Sequence, residues 1–331
     1  MNFFSIPAVS IAISLVISWA LFAILCSMIH EAIAQLKSER GRFMKKYLYQ
    51  QFKDEPNEIN WADGIYRTGA ITLLSRDIRK PSSDIDPALF ANAFINSVTD
   101  SHLVQTQIQA SQEKLLTPYN HPTLSRFKAA VSLLKPSEQV TLLTHALSDA
   151  ELKATTDNSK REEEIYQHLI NNLSDWYIEL SQRITLWYKK KTRQRLFWLG
   201  LLLAILLNID SVQLFGIFNK NPETRNAVVS FYEQNADYLN KLSLHADSTA
   251  KATGIDSLMK IQKIYTEKID SLKKEADLPI GYQYSIFKIL PTQPFYILVL
   301  KLLGIIISGF AASFGAPFWF DLLKKAYSFK K

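Results

Sequence analysis

Apolar and polar positions divide this chain into long uniform stretches and shorter periodic ones. Residues 7–29 carry no charged side chain. At ~1.5 Å per residue they are long enough to cross a ~30 Å hydrocarbon layer. Residues 196–218 form a second apolar run, with Asn208, Asp210 and Gln213 near its far end. A third begins near Phe295 and runs through Gly304, Gly309 and Gly315 to Phe320. The stretches between them are periodic. Ile33, Leu36, Phe43, Tyr47 and Phe52 share one helical face, with Gly41 a weak point in that helix. From residue 161, Ile165, Leu169, Leu173, Trp176, Leu180, Ile184 and Trp187 recur at spacings of three and four. That seam predicts a long helix leading into the second span, packed antiparallel on the helix that descends from the first.

Residues 59–155 read as short helices broken near Pro81, Pro87, Pro118, Pro122 and Pro136. Acidic residues through Asp86 mark a helix start before Pro87. No useful length alternates with period two, so the fold class is all-α. The expected organisation has six parts. Residues 1–29 are a transmembrane helix, 30–194 a helical cytoplasmic module with long stalk helices, and 195–218 a second transmembrane helix. Residues 219–292 are an outer helical hairpin, 293–316 a third transmembrane helix, and 317–331 a basic interfacial tail. A break in the hairpin is expected around 248–254, with Leu258, Ile261, Ile264, Ile269 and Leu272 as its apolar positions.

Charge orients this plan. The net charge is +7, and its surplus gathers at Lys189, Lys190, Lys191, Arg193 and Arg195 and at Lys324, Lys325, Lys330 and Lys331. Basic residues flanking apolar spans stay on the cytoplasmic side. The chain is therefore expected as a multi-pass inner-membrane protein, N-terminus outward and C-terminus cytoplasmic. Nothing positive precedes the first span and no small-residue cleavage signal follows it, so it reads as a retained anchor. Each juxtamembrane charge favours anionic headgroups by about 1 kcal/mol, which makes the bilayer the first expected partner. Nucleic acid is a poor partner, because no basic face interleaved with aromatics lies away from the membrane.

Candidate chemistry is sparse. Cys26 is the single cysteine, which excludes a disulfide framework and a cysteine-built zinc site. There is no phosphate-binding glycine loop, no nucleophile elbow and no HExxH, so no cofactor, metal or catalytic residue is expected. His30-Glu31 is the one suggestive histidine pair, read as a helix-surface pair. Asp210 has more weight, since an ionisable group inside a span costs ~3 kcal/mol and so needs a partner. Lys301, counted inward from residue 295, falls at nearly the same depth and is the expected ion-pair partner. Ser10, Ser14 and Ser18 form a small-residue face on the first span, and Gly304, Gly309, Ser313 and Gly315 another on the third. Such faces call for close helix neighbours; the serine face of the first span is the expected neighbour of the third, with a second copy or a partner membrane protein as the alternative. Trp187, Tyr188, Pro317, Trp319 and Asp321 join the basic collar as expected inner-interface residues, with Pro317 restarting an interfacial helix.

Several pieces resemble a family of uncharacterised bacterial integral membrane proteins. They are Trp187-Tyr188-Lys189-Lys190, Asn208-x-Asp210, Asn221-Pro222-x-x-Arg225, the Gly315-Ala-Pro-Phe-Trp-Phe-Asp-Leu-Leu323 segment and, more weakly, Arg79-Lys80-Pro81-Ser82 with Phe90. The resemblance is poor over 100–160 and 226–290, and Leu186 stands where relatives carry glycine. It implies the same membrane topology and no activity. The functional expectation is a non-enzymatic membrane-anchored scaffold or sensor linking the outer hairpin to the cytoplasmic module. The alternative is an oligomeric ion channel or membrane-permeabilising effector whose polar segment is Asn208, Asp210 and Gln213.

Overall fold

The structure, a computed structural model, describes residues 7–75, 80–101, 122–154, 161–245, 263–272 and 294–328. It is all-α, about 86% helical, with thirteen helices among these residues. Contacts divide it into two compact units, residues 37–187 and residues 1–36 with 188–331. Lys330, Lys331, Pro118, Arg79, Leu258, Ile261 and the expected break at 248–254 lie outside the described residues.

The 37–187 unit holds α2 (Glu39–Gln51), α3 (Trp61–Arg67), α4 (Gly69–Leu73), α5 (Pro87–Thr99), α6 (Pro122–Leu133), α7 (Glu138–Lys153) and the first part of α8 (Arg161–Leu207). Capping sets several starts. Asn60 accepts from the Ala62 amide, Asp86 from Leu89 ahead of Pro87, and Ser137 from Val140. The core is aromatic. Phe52 sits edge-on to Phe94 at 4.9 Å and to Trp176 at 5.6 Å, and Phe90 stacks on Tyr177 at 4.0 Å. Tyr47 meets Trp187 at 5.1 Å. Residue numbers thus rise along α2 as they fall along α8, so the two run antiparallel, and the seam residues Leu169 and Leu173 are fully buried.

Two features of this unit differ from the sequence reading. A two-residue antiparallel ribbon pairs Lys53 with Asn60 and Asp54 with Ile59. It is too short for period-two patterning to reveal. The helix also breaks at Ser38, which adopts φ 47°, and not at Gly41. Gly41 instead permits a close approach, because a Cβ there would collide with the Pro81 carbonyl oxygen.

The second unit contains α1 (Pro7–Leu36), the remainder of α8, α9 (Ser211–Lys220), α10 (Pro222–His245), α11 (263–272), α12 (Phe295–Ser313) and α13 (Ala316–Ser328). Helix α1 is its centre, packed against α9, α10, α12 and α13. Ile17, Ala23 and Ile24 are fully buried there, in one apolar cluster with Phe218, Val228, Leu239 and Phe320. Residues 222–245 therefore belong to the core around α1, because Val228, Phe231, Tyr232, Leu239 and Leu242 place an apolar stripe on one face of α10.

Among the described residues two helices, α1 and α12, are long and apolar enough to cross a membrane. The pair α8 and α9 passes the same test together but is bent by 58°. Residues 195–218 are thus not one straight helix. Much of the outward surface here is apolar. Trp198, Leu202, Leu206 and Phe215 are exposed on α8 and α9, and Leu302, Ile307 and Phe310 on α12.

Candidate functional site

The bend has a local cause. Asn208 adopts φ 53°, a left-handed conformation that asparagine tolerates far better than branched residues. Asp210 is the N-cap of α9, its Oδ1 accepting from the Val212 amide at 2.9 Å and the Gln213 amide at 3.2 Å. A carboxylate also suits the positive end of a helix dipole. Asp210-Ser-Val-Gln213 has the spacing of a capping box. That pattern was visible in the sequence, although it sits inside an apolar run that argues for continuity.

The turn is held by α1 and α12. Ser211 Oγ lies 2.7 Å from Ser308 Oγ, and Trp19 Nε1 donates to Ser211 Oγ at 3.0 Å. Ser308 also donates back to the Gly304 carbonyl. Gly304 is where α12 passes the turn, and a Cβ there would collide with the Asp210 carboxylate. One turn further along, Gly309 approaches Leu201, and Gly200 approaches Ala312. The close small-residue contact of α12 is therefore with α8 and α9. The serine face of α1, the expected neighbour, spends its hydroxyls within its own helix: Ser10 donates to Pro7 O, Ser14 to Ser10 O and Ser18 to Ser14 O.

The Asp210–Lys301 ion pair expected from matching depth does not form. Asp210 is only 7% exposed and its Oδ1 is taken by backbone amides of the broken helix. Lys301, half-buried on α12, makes no ion pair among the described residues. Gln213 is exposed where Asp210 is buried, although its backbone amide donates to the Asp210 carboxylate.

Beside the turn lies a cavity of about 110 Å³. Its walls are apolar, from Leu21 and Leu25 of α1 and Tyr265, Ile269 and Leu272 of α11. The turn supplies Asn208, Asp210 and Gln213. Tyr265 is fixed by a hydrogen bond from its hydroxyl to the Leu21 carbonyl.

The collar residues Lys189, Lys190, Lys191 and Arg193 are exposed and Arg195 half-buried, with the Arg193 guanidinium 6.0 Å over the Phe314 ring. Trp187 is 39% exposed and Tyr188 buried. Gly315 has φ 78° and ends α12, after which Pro317 sits in the first turn of α13. Ser313 donates to the Phe310 carbonyl. Trp319 faces protein, its Nε1 donating to the Ala311 carbonyl at 2.8 Å and its ring 5.1 Å from Trp19. Asp321, on the other side of α13, is exposed. The amphipathic face of α13 is thus spent on α1 and α10, through Phe320 and Tyr327 against Tyr232.

The 37–187 unit has a polar centre that periodicity could not reveal. Asp54, 1% exposed, accepts from Trp61 Nε1, Asn57 Nδ2 and Ser137 Oγ, while Asn57 Oδ1 accepts from the Lys135 amide. Every one of these bonds is internal, so the cluster ties the ribbon to the start of α7. Among the described residues no group of three or more His, Cys, Asp or Glu could hold a metal. No family model, curated protein or solved structure matches this chain.

Proposed function

We propose that this protein is a non-enzymatic, membrane-anchored scaffold or sensor. In this reading it spans a bacterial inner membrane three times, with its N-terminus outward and residues 30–194 in the cytoplasm. The exposed apolar side chains of α8, α9 and α12 support the bilayer as its solvent, since such a patch would be costly in water. The exposed collar supports contact with anionic headgroups. One observation carries the coupling role. The same 47-residue helix supplies Leu169 and Leu173 to one core and Leu196 and Ala204 to the other, then stops at the Asp210 turn. A change in the turn is thereby passed along a helix that the cytoplasmic module cannot ignore.

A second reading is ion conduction by an oligomer, favoured by the broken span. Interrupted helices at membrane depth are tolerated where they are buried in protein or line a water-filled path. Reconstitution of the full chain into liposomes separates the two. A scaffold or sensor leaves sodium, potassium and proton flux at the level of empty liposomes. Flux above that level that falls in Asp210→Asn replaces the first reading with the second.

A further inference from the structure

We propose that the cavity beside the Asp210 turn binds a compact amphiphile: one short hydrocarbon group, a ring or a chain of about six carbons, carrying a primary ammonium head. The size follows from the volume. About 110 Å³ is enclosed in a pocket that is open on one side. A closed dry protein cavity of ~150 Å³ accepts benzene, so a single small ring or short chain is the most that fits, part of it reaching into the opening. The hydrocarbon part follows from the walls, where Leu21, Leu25, Ile269 and Leu272 offer no hydrogen bond. The head group follows from Asp210, the one carboxylate among the described lining residues. Both amide bonds to this side chain fall on Oδ1, leaving Oδ2 for a donor. An ammonium donates and carries the opposite charge, a neutral hydrocarbon gains nothing from that oxygen, and an anion is repelled by it.

The walls come from separate elements, the broken turn, α1 and α11, so a bound guest touches both arms of the bend and the Tyr265–Leu21 clasp. This gives the turn a ligand and so rests on the sensor reading above. Binding is nonetheless measured directly, without any readout of the cytoplasmic module, and liposome flux tests the other claim separately.

The test uses the full chain in phosphatidylcholine nanodiscs and fluorine NMR of 4-fluorobenzylamine, with 4-fluorotoluene and 4-fluorobenzoate as probes that share its ring. The amine should show saturable line broadening, with toluene binding about tenfold weaker, the worth of one charge-assisted hydrogen bond. Benzoate should show none. Asp210→Asn keeps a capping side chain and should remove the preference for the amine over toluene. Leu25→Trp and Ile269→Trp fill the cavity from two different helices and should each abolish broadening, with folding checked by circular dichroism. Displacement of the probe by added phosphatidylethanolamine assigns the natural source to a lipid headgroup, and its absence to a free amine. Equal broadening by amine and toluene in the unaltered protein overturns the proposal. So does full binding in a folded cavity-filling variant, which would mark simple partition into lipid.

Discussion

Single residues in this protein are constrained by what touches them, and the glycines separate cleanly. Gly304 lies against the Asp210 carboxylate, whereas Gly216, also helical, has open space around its Cβ position. Gly304→Ala should therefore lower the thermal stability of the detergent-solubilised protein by about 1–3 kcal/mol through overpacking. Gly216→Ala should be neutral or stabilising by up to ~1 kcal/mol. Equal behaviour of the two in a thermal melt would remove the close approach from the account. Tyr49 gives a pH prediction. Burial, and then its 2.7 Å hydrogen bond to Asp63, raise its pKa from 10.0 to about 12. The folded state keeps a proton that the unfolded chain releases, so this stabilisation is complete below the unfolded value and is lost as pH rises through the folded one. Alkaline titration at the tyrosinate absorbance should show a late component near pH 12 that Tyr49→Phe removes.

At the scale of elements, the Asn208–Asp210 break and the Asp54 cluster decide how helices meet. Asp210→Ala should cost about 0.5–2 kcal/mol through loss of the cap, with Asp210→Asn retaining most of it. Chemical denaturation in detergent checks the order. In the other unit, Asp54→Ala leaves the Trp61 indole without its acceptor, at roughly 1–3 kcal/mol for a buried donor, and takes one acceptor from Asn57, which keeps the Lys135 carbonyl. Urea unfolding followed by tryptophan fluorescence should move by more than any single-bond loss. How much of this the sequence disclosed depended on periodicity. The apolar faces of α2 and α8 repeat every three or four residues, and the antiparallel pairing of Tyr47 with Trp187 followed from them. Asp54, Asn57 and Ser137 are separated by up to 83 positions, and no local pattern marks such a cluster. The break at Asn208 lay between these cases. Its capping residues were legible, but a run of leucines on one side outweighed them. The expected Asp210–Lys301 pair failed for the same reason, since depth counted along a straight helix has no room for a turn.

For the whole molecule, the orientation proposed above follows from charge placement alone and has a direct check. The collar at Lys189–Arg195 should lie on the cytoplasmic side, which puts Glu179 inside and Asn226, beyond the broken span, outside. Both residues are exposed, and Cys26 is buried and can be removed as Cys26→Ser. Asn226→Cys in that background should react in intact cells with a membrane-impermeant maleimide. Glu179→Cys should react only after the membrane is opened. The packing of α10 on α1 makes the first of these the sharper test. If α10 shared the bilayer with α1, its polar face at Glu223, Glu233, Asp237 and Lys241, all exposed, would meet lipid at several kcal/mol for each charge. The start of α10, at Asn226, is the part that an outward aqueous position relieves of that cost, since further along Tyr232 meets Phe320 and Tyr327 of α13. Labelling of Glu179→Cys with protection of Asn226→Cys in intact cells would reverse the orientation, and labelling of both or protection of both would remove the bilayer from between them.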